Sequence, residues 1–310
     1  MKRVLVIGGS GFVGSHVVRA LVADGVRPTL FGPLMDGDRL SDLAGRIDMV
    51  EGSILSRPAL REVLEVSRAE AVVSCAAFGS GRLGLMRSGE AEADAALDVN
   101  VAGLTRLLDA AREAGVRRVV WTSSTVVYGP SAEYPEQPVI EAAPVGPVTF
   151  YGLTKALAEQ VSLYHRRRHG LDVVALRLPL VLGPGLWYEG AAAALAGLFR
   201  DPGPATLRFH DETLDLIHVA DVARAVLALL PHPGELAPVY NLEGFRCRAS
   251  EMLSFIAARR PGPPVTLAPT PPALLFPLVS GARLRADTGF VPAYDLARFV
   301  DAMLEGLGCT

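Results

Sequence analysis

Short apolar runs alternate with longer stretches of helical periodicity through the first half of the chain. Val4–Ile7 is a four-residue apolar run that ends in glycines, and Phe12–Ala23 follows with a helical pattern. Further β-rich runs occupy 28–31, 47–50, 71–75, 118–123 and 173–178. Between them lie an Ala- and Leu-rich segment at 91–114, read as one long helix, and a second long helix over Phe150–His169. Strands separated by helices predict a parallel sheet with right-handed crossovers and helices on both faces. The expected class is α/β: a doubly wound, Rossmann-type parallel sheet with a smaller, discontinuous C-terminal lobe.

After Leu178 the pattern loosens, punctuated by Pro179, Gly183, Pro184, Gly185, Pro202, Gly203 and Pro204. A helix over 219–230 and a strand over 239–242 are expected to return to the main sheet. Ala191–Ala196 reads as ordinary helix, the Pro-rich 261–277 as a connection, and 296–307 as a last helix. The expected division is a dinucleotide-binding domain over 1–178, rejoined by 216–242, and a substrate-binding lobe from 179–215 and 243–310.

Composition narrows the function classes. The 310 residues are 50% hydrophobic and 20% charged, enough to bury a sizeable core. A net charge of −3 and a pI near 6.1 argue against a basic nucleic-acid surface. Mean hydropathy is +0.31, but no apolar run reaches the roughly 18 residues that a membrane span needs. Cys75, Cys247 and Cys309 offer neither a disulfide framework nor metal-ligand spacing, so no metal is expected. With no signal peptide evident, a reducing, cytoplasmic compartment is the expectation. Lysine is confined to Lys2 and Lys155, all other basic residues being arginine, and asparagine to Asn100 and Asn241.

Two motifs carry chemistry. Gly8, Gly11 and Gly14 stand in G-x-x-G-x-x-G spacing between a strand and a helix. Such glycines permit a tight turn, close approach to a pyrophosphate and close helix–strand packing, and the helix N-terminus then favours phosphate. The second motif is Tyr151-x-x-x-Lys155 at the start of a helix, with Ser124 twenty-seven residues earlier at a strand end. Positions i and i+4 share a helix face, so phenol and ammonium point the same way. A free phenol, with a pKa of about 10, is a poor base at neutral pH, and a neighbouring ammonium is expected to lower it. A surface helix with an incidental Tyr and Lys is the alternative.

With these motifs, Asn100-Val-Ala-Gly103, the Ser123-Ser124-x-x-x-Tyr128-Gly129 strand end, Asp215-Leu-Ile-His-Val-Ala-Asp221-Val and Tyr240-Asn241, the chain resembles the extended short-chain dehydrogenases/reductases, the family that includes UDP-galactose 4-epimerase. The resemblance covers nearly the whole length. It implies Tyr151 as acid/base on a substrate oxygen, Ser124 bonding the same oxygen, Lys155 on the nicotinamide ribose, and Asn100 as an organiser of the site. A local cap or turn role also suits Asn100. NAD or NADP is then held by Gly8, Gly11, Phe12, Val13, Gly14, Gly32, Ser53, Ile54, Ala76 and Ala77 together with Tyr151 and Lys155. A homodimer through paired long helices is implied as well. Phe78, Ser124, Trp187, Arg208, His210 and Arg283 are candidate substrate contacts, Tyr188 a further ring of the same region.

Departures from the family pattern qualify this. Gly32 stands where NAD-specific relatives usually carry an acidic residue, and Ser53 where an aspartate often faces adenine. Weak discrimination between NAD and NADP is therefore expected, with Arg39 the nearest basic candidate for a 2′-phosphate. Leu214 replaces the arginine that grips a diphosphate in nucleotide-sugar enzymes; Arg208, Arg283 or Arg285 are the candidates to compensate. Ser124 is followed by Thr125-Val126 rather than Asp-Glu, which disfavours a dehydratase. A nucleotide-sugar epimerase or ketoreductase leads, ahead of a reductase of a non-sugar ketone, steroid-like or a secondary metabolite, and of a catalytically silent dinucleotide sensor.

Overall fold

The computed structural model describes residues 1–33, 39–200, 203–260 and 262–306. Pro202, Pro261, Leu307 and Cys309, named above, lie outside the described residues. The strands are β1 (Val4–Ile7), β2 (Thr29–Gly32), β3 (Asp48–Glu51), β4 (Ala71–Ser74), β5 (Arg118–Ser124), β6 (Asp172–Leu178), β7 (Leu180–Leu182), β8 (Thr206–Phe209), β9 (Leu214–His218), β10 (Val239–Asn241), β11 (Phe245–Cys247) and β12 (Thr266–Pro269). The α-helices are α1 (Phe12–Ala23), α2 (Arg57–Ser67), α3 (Leu85–Ala91), α4 (Ala93–Leu97), α5 (Leu104–Glu113), α6 (Phe150–His169), α7 (Ala191–Ala196), α8 (Val219–Leu229), α9 (Ala249–Ala257), α10 (Ala282–Thr288) and α11 (Leu296–Glu305).

Seven parallel strands form the main sheet in the order β10-β6-β5-β4-β1-β2-β3. Alternate side chains point to opposite faces of a strand. Val4, Val6, Val73, Val120 and Val174 pack under α1 and α8 on one face. Leu5, Ile7, Val72, Val119 and Val173 pack under α2, α5 and α6 on the other. The strand order reverses between β1 and β4, which opens a crevice beyond their carboxyl ends, the place where ligands bind in such sheets.

The remaining strands build a second core. β9 lies between β7 and β11, and β8 pairs with β12. Leu195, Leu198, Phe199, Leu207, Phe209, Met252 and Phe299 fill the space between them and α7, α9 and α11. Residues 216–218 thus belong to the three-stranded sheet; the return to the main sheet is made by β10. β12 lies within the Pro-rich stretch and reaches Pro269, tolerable because it has a partner on one side alone.

Two differences from the sequence expectation stand out. Residues 57–67 form the helix α2, capped by Ser56 Oγ accepting from Ala59 N at 3.3 Å and burying Leu60, Val63 and Leu64. The single helix expected over 91–114 is instead interrupted. It breaks at Glu92 (φ −136°, ψ 67°) and widens to a π-helical turn over Asp98–Gly103 before α5. Ala and Leu favour a continuous helix; here side-chain bonding by Asn100, described below, accompanies the wider turn.

A buried ion pair anchors α6 to the sheet. Arg177 of β6 donates to both Glu159 oxygens, at 2.9 and 2.7 Å, with both side chains almost fully covered. Ser123 Oγ donates to Glu159 at 2.6 Å, and Arg177 donates to Tyr128 Oη at 2.6 Å. Tyr128 in turn donates to Asn241 Oδ1 at 3.0 Å. Removing one member of a buried pair leaves the other charge uncompensated. Arg177→Met is therefore expected to lose about 3–5 kcal/mol of stability in denaturant unfolding. Adding Glu159→Leu to it should recover most of that loss.

Candidate active site

The glycine turn closes the end of β1. Gly8 sits at φ +72°, its N–H donating to Phe31 O at 2.9 Å and its carbonyl accepting from Gly11 N at 3.1 Å. A Cβ on Gly14 would lie 2.1 Å from Gly8 O, so only hydrogen fits. The turn thus packs backbone against backbone and presents the first amides of α1, from Phe12, Val13 and Gly14, which have no intrahelical acceptors. Gly8 also abuts Ala76 after β4: a Cβ there would meet Ala76 N at 3.2 Å. Ala76 and Ala77 are half-buried along the crevice. These features fit a dinucleotide: a cradle that a side chain would fill, facing a helix N-terminus.

Beyond the turn, Gly9, Ser10, Leu30, Gly32, Pro33 and Met49 are among the residues lining a small recess. No lining residue among those described carries a carboxylate. Gly32 has φ +154°, a conformation that L side chains rarely adopt, so an aspartate introduced there would be strained. Ser53 is exposed and its Oγ accepts from Leu55 N at 3.2 Å, an arrangement that ties it to its own turn. Ile54 is buried against Gly103, where a Cβ would come within 2.8 Å of it. Arg39 donates to Ser10 O at 3.5 Å and lies 5.9 Å from the Trp187 ring centroid, bridging the glycine turn and the second lobe.

Tyr151 and Lys155 share the inner face of α6, and both are buried. Three contacts set the start of this helix. Thr149 Oγ accepts from Gly152 N at 3.1 Å, Glu90 accepts from Phe150 N at 2.7 Å, and Gly89 packs on the Tyr151 backbone. Lys155 Nζ donates to Thr122 O at 2.8 Å and lies 5.4 and 5.5 Å from the Trp121 and Tyr151 ring centroids. Burial pulls its pKa down to about 8, with Cys75 and Glu159 acting in the opposite direction.

Burial pushes the Tyr151 phenol well above its ordinary value, Tyr188 adds to the rise, and a hydrogen bond with Ser124 opposes it. The expected lowering by Lys155 is not what the structure shows. Desolvation sets the direction, and the ammonium is directed at a carbonyl and at ring faces. Like a free phenol, Tyr151 is protonated at neutral pH.

Asn100 is a bridge. Its Oδ1 accepts from Phe78 N at 2.8 Å and its Nδ2 donates to Thr154 Oγ1 at 2.9 Å. Thr154 then donates to Tyr151 O at 2.8 Å. The π-helical turn, the loop after β4 and the Tyr–Lys helix are thus locked together one bond away from Tyr151.

Trp187 and Tyr188 stand beside this site, with Tyr188 edge-on to Phe12 at 6.2 Å and to Trp187 at 5.8 Å. Both line a cleft of about 320 Å³. The other expected substrate contacts do not line it. Arg208 points outward from β8 because its neighbours Leu207 and Phe209 turn inward. His210 stacks on Phe209 at 4.4 Å. Arg283 is 3.5 Å from buried Glu141, and Arg285 lies 3.8 Å from Glu243. Leu214 packs against the core of the second lobe. Tyr188, whose phenol burial pushes up to about 12, is the group that sequence reasoning left out of its primary site. Its adjacency to Trp187 and to a Gly-Pro-Gly turn was the available signal. Among the described residues no group of three or more His, Cys, Asp or Glu could hold a metal, and no helix is long and apolar enough to cross a membrane.

The model of the NAD dependent epimerase/dehydratase family matches residues 4–242. The UDP-glucose 4-epimerase of Azospirillum brasilense is 33% identical, over 94% of this chain and 88% of its own length. Among solved structures, the UDP-glucose 4-epimerase of Brucella ovis in complex with NAD is 27% identical, with a TM-score of 0.83 over 99% of each chain. A partial consensus L-threonine 3-dehydrogenase has a TM-score of 0.86 over 99% of this chain and 100% of its own; at 24% identity it shows the fold alone.

The depressed Lys155 pKa has a measurable consequence. Between about pH 8 and the ordinary value near 10.4 the unfolded chain holds more protons at this position than the folded one, so folding stability rises with pH there. Lys155→Met removes the buried charge. It should stabilise the cofactor-free protein more at pH 7 than at pH 10, as thermal unfolding at the two pH values would read. An equal change at both would show that Lys155 is not held as described.

Proposed function

The chain belongs to the NAD dependent epimerase/dehydratase family, and from that premise we propose that it interconverts a secondary alcohol and a ketone at Tyr151. What supports this reading is that Tyr151 and Lys155 lie buried on one face of α6 beside Ser124 and Cys75, while the glycine turn abuts Ala76 immediately after Cys75. Gly8, Gly11 and Gly14, with the amides of Phe12 and Val13, would hold the pyrophosphate. Gly32, Ser53 and Ile54 border the adenosine end, and Ala76 and Ala77 the middle. The bound nicotinamide would supply hydride transfer. Tyr151, protonated at rest, would give its proton to a substrate carbonyl oxygen and take it back in the reverse direction. Ser124 would orient that oxygen, Lys155 would hold the ribose, and Asn100 would position Tyr151 through Thr154.

Within this reading a nucleotide-sugar 4-epimerase comes first, supported by the A. brasilense relative. The second reading, a dehydrogenase or reductase of a small non-sugar substrate, is favoured by Leu214, which removes the usual diphosphate arginine. A dehydratase finds no Asp-Glu pair after Ser124. The second lobe, from 179–215 and 243–310 (307–310 lying outside the described residues) and joined by residues 216–218 of β9, would supply the substrate side and the main sheet the cofactor side. Cytoplasmic residence is part of the proposal.

The two readings separate by product. Incubated with NAD and UDP-glucose, an epimerase forms the 4-epimer with no net reduced cofactor. A dehydrogenase accumulates reduced nicotinamide with a secondary alcohol such as L-threonine and leaves UDP-glucose unchanged. Neither product from a panel of nucleotide sugars and small alcohols would contradict the assignment. Discrimination between NAD and NADP is expected to stay below about 100-fold, or about 2.7 kcal/mol, because no described residue lining the recess at Gly32 carries a carboxylate. Calorimetric titration with each cofactor checks this, and a larger ratio would mean that another residue reads the 2′ position.

A homodimer is also proposed. Leu153, Leu157 and Tyr164 are exposed on α6 at spacings that share one face. Leu157→Arg should give a monomer by light scattering while leaving NAD affinity unchanged; an unaltered mass would place any dimer contact elsewhere.

A further inference from the structure

The cleft beside Tyr188 has a chemical bias that the family assignment does not explain. Its walls are the loop after β4, the segment 186–190 and α7. They are held together: Glu189 N donates to Arg82 O at 2.8 Å, and a Cβ on Gly84 would lie 2.4 Å from Glu189 O. Two arginines line it, Arg82 and Arg200, both exposed. Arg200 is fixed at its backbone, its carbonyl accepting from Arg260 Nη1 at 2.9 Å.

Neither guanidinium pairs with a carboxylate among the described residues, whereas Arg19, Arg57, Arg61 and Arg246 each do. Glu189, the acidic residue of the lining, is 3.3 Å from Arg87 and partly neutralised by it. The cleft is therefore lined by two guanidiniums with no carboxylate partner among the described residues, by one carboxylate already paired, and by two aromatic rings. Tyr188 is near enough to Tyr151 to add to the rise of its phenol pKa.

We propose that Arg82 and Arg200 form an anion-holding subsite in this cleft, so that the substrate carries a phosphate, diphosphate or carboxylate group. The pair does the work that Leu214 excludes at the usual arginine position. Guanidinium groups suit oxyanions because their planar donors match two oxygens at once. At about 320 Å³ the cleft lies at the small end of ligand sites, roughly 300–1,000 Å³, which suits one anionic group with a short carbon chain or a sugar. The inference rests on the reading of Tyr151 as the group that handles the alcohol or ketone.

The test uses full-length protein saturated with NAD, so that the glycine turn is already filled. Inorganic phosphate, UDP and acetate are titrated separately against sodium chloride at matched ionic strength, following Trp187 fluorescence and heat. At least one of the three should bind saturably, and the one that does identifies the anion. Arg82→Gln and Arg200→Gln should each weaken that binding by about 10- to 150-fold. Arg61→Gln, on α2 and outside the lining, should not, and NAD affinity should be unchanged in all three variants, which also reports their folding. No binding above the chloride reference, or equal affinity in the arginine variants, overturns the proposal. Tyr151→Phe run in parallel separates the two ideas. Loss of turnover with anion binding kept supports both. Turnover kept while the arginine variants lose the anion leaves the subsite standing and removes the role of Tyr151.

Discussion

The buried pair between Glu159 and Arg177 is the contact on which the site geometry depends. Among the bonds that join α6 to the sheet it is the ion pair with both side chains almost fully covered. Lys155 precedes Glu159 by four residues and Tyr151 precedes Lys155 by four, so three successive positions on one helix face do three jobs. Glu159 grips β6 through Arg177 and β5 through Ser123. Lys155 reaches the Thr122 carbonyl of β5, and Tyr151 meets Ser124 at the end of the same strand. A shift of α6 by one residue would break all of these together. The pair is also fully satisfied by hydrogen bonds, the condition under which a buried ion pair can specify a geometry rather than merely cost desolvation.

From that anchor the rest of the site follows in layers. Arg177 hands its remaining bond to Tyr128, and Tyr128 to Asn241 of β10, so the sheet edge is tied to the loop beyond β5. Asn100 performs a similar task on the other flank, joining the loop after β4 to α6 through Thr154. Neither residue touches the reacting position. Each limits where Tyr151 can stand, which matters because proton transfer needs heavy atoms within hydrogen-bond reach. The two asparagines, rare in this chain, sit at these two junctions.

What the sequence disclosed was local. A strand, three glycines and a helix declare a phosphate-binding turn within a dozen residues, and a Tyr four residues before one of two lysines declares a shared helix face. Less legible was anything set by distant partners. Helix α2 carries its signal in Ser56, Pro58 and the spacing of Leu60, Val63 and Leu64, within surroundings rich in charge. The interruption of 91–114 is invisible to propensity, since Ala and Leu favour the continuous form; it is associated with bonds from Asn100 to residues 22 and 54 positions away. The positive φ at Gly32 and the burial that raises the Tyr151 pKa likewise depend on tertiary packing.

The central claim is that Tyr151 moves a proton in a pocket built around a bound dinucleotide. The most direct measurement pairs NAD calorimetry with turnover for the wild type and Tyr151→Phe on the substrate that the wild type accepts. The account predicts that Tyr151→Phe binds NAD within a few-fold of the wild type and loses turnover by two orders of magnitude or more, since acid–base catalysis contributes about 10²–10⁴-fold. A variant that turns over at near-normal rate, or one that loses NAD binding along with turnover, would contradict it.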